Sequence, residues 1–200
     1  MNIGNTLLQF RQVAGFGGVS EYLGCMTNLN GFNQRVAPPR RAALKAGQES
    51  VWDYPRPPRI ERTDRHIEIV FGGRKIVDTR RAYRFLETSH PPTYYIPPQD
   101  VDASALTPSP GTSYCEWKGR ANYFDVSAGD RHVDHAAWTY VDPKEPYGEI
   151  AGYFAFYPGL MDRCLVDGER VQAQAGDFYG GWITKDIAGP FKGGLGTQGW

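Results

Sequence analysis

Cysteine is scarce in this chain. Three thiols, Cys25, Cys115 and Cys164, are spread over 200 residues, odd in number and without any Cys-x-x-Cys pair. That spacing opposes a disulfide framework and a structural zinc site, and it fits a reducing, cytoplasmic setting. Neither a metal nor a cofactor is expected. An excess of charge is missing too, because Lys+Arg and Asp+Glu both number 22 and the formal net charge is zero. With no global field, nucleic acid and anionic membranes are poor partners. No apolar run approaches the roughly 20 residues that cross a bilayer, so a soluble domain is expected. The opening MNIGNTLLQFRQ lacks a basic leader, and Gln9, Arg11 and Gln12 interrupt its apolar residues, which opposes a signal peptide.

What the chain does have is turn chemistry, with 24 glycines and 15 prolines. A length of 200 residues at 40% hydrophobic content supports one well-buried core. Residues 1–47 read as an extension ending in the linker-like RVAPPRR, and residues 48–200 as a single β domain. WDYPRPPRI, Trp52 to Ile60, is expected to run extended as a strap anchored by Trp52 and Tyr54, since residues before proline leave the helical region. HIEIVF alternates and meets Gly72-Gly73 before RKIVDT, which spells a hairpin. FDVSAGDRHVDHAAWTY turns at Gly129-Asp130, and CLVDGERVQAQ turns at Asp167-Gly168, giving two more.

AYRFLETSH fits both a strand and a helical stripe, and strand is preferred because HPPTYYIPP follows. A short Pro/Ser/Gly linker precedes CEWKGRANY. EIAGYFAFYPGLMD, from Glu149 to Asp162, predicts one short helix ended by Pro158-Gly159. From Phe178 onward the glycine-rich tail predicts a coil strapped to the surface by its aromatics, outside regular structure.

Reactive side chains concentrate between Glu87 and Tyr123. Glu87 and His90 lie three apart, so on a straight strand they face opposite sides, and a bend at Ser89-His90-Pro91 would bring them together. A carboxylate on the imidazole would then make a general acid/base. The competing reading is a histidine bonded to a turn carbonyl. Lys118 between Trp117 and Gly119 can bind an anion or carbonyl or, if desolvated, form a Schiff base; the simpler assignment is an ion pair with Glu116 or Glu87. Cys115 reads as packing. Strand alternation would place Cys115 and Trp117 on one face and Glu116 and Lys118 on the other. His132 and His135 lack further zinc ligands in sequence, and Asp100-x-Asp102 reads as the start of a turn.

The strand-borne Glu87, the His90 before a Tyr-Tyr-Ile-Pro segment, and C-x-W-K-G-x-A from Cys115 resemble the family described as domain of unknown function 427. The resemblance implies a mainly β, β-tent-like fold: antiparallel sheets, one short helix and an aromatic-lined cleft. In that cleft Tyr94, Tyr95, Trp117, Trp138 and Tyr140 would bind a small-molecule ligand, and Glu87, His90 and Lys118 would carry metal-free acid/base chemistry. Two alternatives stand beside it: nucleotidyl transfer, which the family's label suggests, and a ligand-binding module without catalysis.

Overall fold

A computed structural model describes residues 41, 43–176, 178–197 and 200. The expected extension therefore lies, through residue 40, outside the described residues. Fifteen strands follow in chain order among the described residues. They are β1 Glu49–Ser50, β2 Arg59–Arg62, β3 Ile67–Phe71, β4 Arg74–Thr79, β5 Tyr83–Leu86, β6 Thr93–Tyr95, β7 Leu106–Cys115 and β8 Gly119–Ala128. Then come β9 Arg131–Thr139, β10 Phe154–Phe156, β11 Arg163–Val166, β12 Glu169–Arg170, β13 Gln172–Ala173, β14 Trp182–Ile183 and β15 Ile187–Ala188. The protein is mainly β, as the sequence implies, and built of several small sheets, antiparallel apart from the parallel β1-β15 pair.

Two four-stranded sheets, ordered β10-β9-β8-β7 and β12-β11-β3-β4, supply most of the core. The three expected hairpins are all present, as β3-β4, β8-β9 and β11-β12. Their alternating apolar residues meet in one cluster that includes Ile67, Ile69, Phe71, Val126, Ala136 and Val166. A third sheet, β2-β5-β6, joins the first through paired Ile96 and Phe154 backbones at 2.7 and 2.9 Å. Between that sheet and the second half of β9 lies another cluster, rich in tyrosine, holding Phe85, Tyr95, Trp138, Tyr140 and Tyr147. The candidate functional site is built on this second cluster.

The helix expected from Glu149 to Asp162 does not form. Helical structure among the described residues is confined to three-residue 3-10 turns, two of which, Gly148–Ile150 and Pro158–Leu160, flank β10. Gly152 takes a left-handed φ of 72°, and Phe154, Ala155 and Phe156 pair with Thr139, Trp138 and Ala137 of β9. Sheet pairing outweighs an aromatic stripe that glycine and proline already weaken. The presumed linker before CEWKG is also regular: Leu106–Cys115 is a ten-residue edge strand, with a register break between Ser109 and Thr112 that accommodates Pro110 and Gly111.

The strap reading holds for Trp52 and Tyr54, although Val51–Asp53 forms a 3-10 turn. Tyr54 is buried and donates to Glu49 at 2.9 Å, while the Trp52 indole donates to the Pro190 carbonyl at 2.8 Å. Below them Arg84 is almost fully buried and is bound by Glu49 at 2.7 Å and Glu61 at 3.0 Å. Pairing with two carboxylates is what makes that buried guanidinium tolerable. The glycine-rich tail departs from expectation, since it carries β14 and β15 and sends Trp182 into the main core.

Candidate functional site

The turn that joins β7 to β8 brings the reactive residues together. Cys115 pairs with Gly119, leaving Glu116, Trp117 and Lys118 as a three-residue loop, and Gly119 takes φ 90°. A glycine in the left-handed region is what such a short hairpin requires at that position. Strand alternation therefore does not apply to these residues. Cys115, Trp117 and Lys118 all line one cavity of about 380 Å³.

The opposite wall comes from the bend after β5. The His90 amide donates to the Glu87 carbonyl at 3.0 Å, with Ser89 buried in the left-handed region at φ 71°. This turn puts both Glu87 and His90 on the cavity despite their three-residue separation. They do not bond to each other. The Glu87 carboxylate accepts from the Trp117 indole at 3.2 Å and from Arg56 at 3.3 Å. The His90 Nδ1 lies 3.0 Å from the Thr88 carbonyl, which can only accept, so Nδ1 carries the proton and Nε2 the lone pair. A backbone carbonyl, not the carboxylate, fixes the tautomer. Burial pushes the His90 pKa down, against the opposing pull of Glu87, so the ring is neutral at pH 7.

Lys118 is the most unusual group here. Its side chain is buried, and its Nζ sits 3.4 Å from the centre of the Phe85 ring, with the Tyr140 and Tyr95 rings at 5.4 and 5.9 Å. The simple ion pair is not formed: Glu87 is held by Arg56 and Trp117, and Lys118 has no salt bridge among the described residues. The Cys115 thiol lies beside the ammonium and the Tyr140 hydroxyl. Desolvation holds the Lys118 pKa below the ordinary lysine value, with Cys115 and Glu87 pulling weakly the other way. A ring face returns about 2 kcal/mol or somewhat more when desolvated, against the several kcal/mol that a bare buried ammonium loses.

A stability consequence follows with a definite sign. Because the folded pKa is depressed, the unfolded chain binds more protons between that pKa and 10.5, and stability rises with pH across this window. Lys118→Met is expected to stabilise the protein at pH 7 by on the order of 1–3 kcal/mol, with the gain shrinking toward pH 10. Urea melts of both proteins at pH 7 and 9.5 check it. A variant less stable at pH 7 would contradict the buried, unpaired ammonium.

Tyr95, Trp138 and Tyr140 line the cavity as well. Tyr95 is fully buried, and its hydroxyl has no partner of hydrogen-bond geometry among the described residues, the Trp138 indole lying close without meeting it. Tyr94 does not belong with them. It alternates to the other face of β6 and packs 5.1 Å from Trp182 in the main core. The tail closes the remaining side, where Tyr179 meets the His90 ring edge-on at 4.8 Å. A Cβ at Gly180 would collide with the Trp138 ring, so only glycine lets the tail pass there.

Phe85 and Arg56 are among the lining residues that sequence reasoning missed, and Cys115, read there as packing, lines the cavity too. Phe85 was legible, since it stands two before Glu87 near the end of β5, whereas Arg56 reaches the site only through the fold. Two clusters with ligand chemistry, His66–Glu68–Asp78 and Asp125–His132–Asp134, stand elsewhere. The first is engaged internally, with Asp78 bound to both His66 and Lys75. In the second, His132 spans Ser127 and Asp134. The Asp100 and Asp102 side chains do serve turns and ion pairs, binding Thr79 and Arg81, and Ser104 and Arg74. No helix of the described residues is long and apolar enough to cross a membrane.

Residues 59–167, more than half of the chain, match the family model NTP_transf_9, described as domain of unknown function (DUF427). No curated protein matches the chain.

Proposed function

The chain belongs to the DUF427 family, and from that premise we propose that its cavity binds a polar organic ligand with a flat apolar body and performs metal-free acid/base chemistry on it. The observation that carries this reading is the buried Lys118 amine, bound by no carboxylate among the described residues, facing the same 380 Å³ space as a neutral His90. His90 Nε2 is the base. Glu87 positions Trp117 and Arg56, and the Lys118 Nζ donates an N–H to a ligand oxygen on which negative charge develops in a low-dielectric site. The aromatic walls, Tyr95, Trp138 and Tyr140, supply apolar area and exclude water.

The test begins with a thermal-shift screen of small aromatic acids, alcohols and carbonyl compounds, followed by turnover of whichever ligands bind. His90→Gln is expected to keep binding but lower turnover by about 10²–10⁴-fold, the usual contribution of a general base. Equal turnover in the variant would sink His90 as the base. Binding with no turnover in the wild type would leave a non-catalytic ligand-binding module.

The family label favours a second reading, nucleotidyl transfer, and Arg56 and Lys192 in the lining could contact phosphates. Metal-assisted transfer needs converging carboxylates. Here Glu87 is already held by Trp117 and Arg56, and Glu116 is exposed. Millimolar ATP with Mg²⁺ is accordingly expected to leave Tm unchanged, and a clear rise would favour the label.

A further inference from the structure

We propose that Lys118 is a covalent nucleophile, and that the ligand class of the acid/base cavity is an aldehyde or ketone carried on a flat apolar body, captured as an imine. The proposal rests on that cavity being the functional site, and it adds the reacting atom and the functional group. Three placements support it. Lys118 is buried, with its Nζ against the Phe85 ring and no carboxylate bound to it among the described residues. Hydrophobic surroundings of this kind keep an amine in the free-base form that attacks carbonyl carbon. Lys118 lines the same space as His90 and Glu87, so proton carriers share the cavity with its nitrogen. Finally, Tyr95 presents a buried hydroxyl without a partner on the same wall, a donor suited to a carbonyl oxygen.

The depressed Lys118 pKa agrees with this placement, and Lys75 supplies the contrast, since its pairing with Asp78 and Glu68 raises its pKa.

The chemistry balances without a cofactor. The Lys118 nitrogen lone pair forms a bond to the carbonyl carbon while the C=O π pair moves to oxygen. The nitrogen, now cationic, gives a proton to the neutral His90 imidazole, and the imidazolium passes it to the oxygen, giving the neutral carbinolamine. The nitrogen lone pair then forms C=N as the C–O bond breaks; the oxygen leaves as water with a proton taken from solvent water, and the iminium nitrogen returns a proton to the hydroxide so formed, leaving the imine. The net change is amine plus carbonyl to imine plus water, with no oxidation or reduction.

Reductive trapping on the full chain tests it. The protein is treated at pH 7 with formaldehyde or with 4-hydroxybenzaldehyde, each with cyanoborohydride, which reduces any imine to a stable amine. Peptide mass spectrometry then compares Lys118 with Lys75, Lys144, Lys185 and Lys192 in the same molecules. Lys118 is expected to label about tenfold or more faster than each of the others with formaldehyde, and by a larger margin with the aromatic aldehyde. Because formaldehyde is small enough to enter any solvent-connected site, Lys118 labelling no faster than the other lysines overturns the proposal.

A separate arm measures Tm with 4-hydroxybenzyl alcohol, which fills the same space and cannot form an imine. A raised Tm without preferential labelling overturns the imine alone and keeps the cavity as a binding site. Neither effect overturns both. Reading the label on the wild-type protein makes the result independent of whether Lys118→Arg folds.

Discussion

Between pH 10 and 13 the protein is expected to unfold cooperatively, and its tyrosines are the reason. Tyr54, Tyr94, Tyr95 and Tyr140 are each buried, and burial pushes every one of their pKa values above the ordinary 10. The Cys164 thiol, likewise buried, is pushed up from 9.0. A raised folded pKa means that the native state keeps a proton the unfolded chain releases, so stability is intact below pH 10 and falls as pH rises through the window above it. Each such tyrosine removes about 1.4 kcal/mol per pH unit there, or roughly 5 kcal/mol per unit for the four together. A domain of ordinary stability, about 5–15 kcal/mol, does not survive one to three units of that slope.

Tyrosinate absorbance near 295 nm and far-UV circular dichroism, followed in parallel, check this. The buried set should appear in one step together with loss of structure. Full tyrosinate formation with the dichroism unchanged would contradict the burial. Lys118 acts with the opposite sign below pH 10, so maximum stability is expected on the mildly alkaline side of neutrality.

The same tyrosines show how far the sequence could be read. Hairpins announced themselves wherever alternation met Gly-Gly, Gly-Asp or Asp-Gly, because turn chemistry and side-chain period are both local. Tyr94 and Tyr95 obey that period, one facing the core and the other the cavity, so the alternation that identifies the strand also separates the pair. At Cys115–Lys118 the rule gave the wrong division because a three-residue turn, not a strand, carries these side chains. The Gly119 after Lys118 was the available signal, being the left-handed position such a hairpin needs. Lys118 itself could not be read. A basic residue flanked by Trp117 and two acidic candidates suggests an ion pair, and only the fold shows Glu87 already taken by Arg56 from a distant strap.

The tail is where composition misled most, and Trp182→Ala measures by how much. Glycine-rich sequence argues against regular packing on entropic grounds, yet β14 pairs with β13, and the Trp182 amide donates to the Pro92 carbonyl at 2.9 Å. The indole is 1% exposed, donates to the Phe156 carbonyl at 3.2 Å and packs against Tyr94, so one side chain pins the tail, β6 and β10 to the core. Truncation is expected to cost about 3–5 kcal/mol, through lost burial, a cavity and an orphaned carbonyl. For a domain of this size that lowers Tm by roughly 6–20 °C. Phe178→Ala, four residues earlier and 68% exposed, should stay within about 0.5 kcal/mol.

Because Tyr179 and Gly180 stand three and two residues before Trp182 and close the cavity over His90 and Trp138, a ligand that raises the wild-type Tm should raise that of Trp182→Ala less. Chemical denaturation of the three proteins, with and without ligand, decides it. Equal losses from Trp182→Ala and Phe178→Ala would mean that the tail merely lies on the surface, whereas a large loss in the first alone makes it part of both the core and the site.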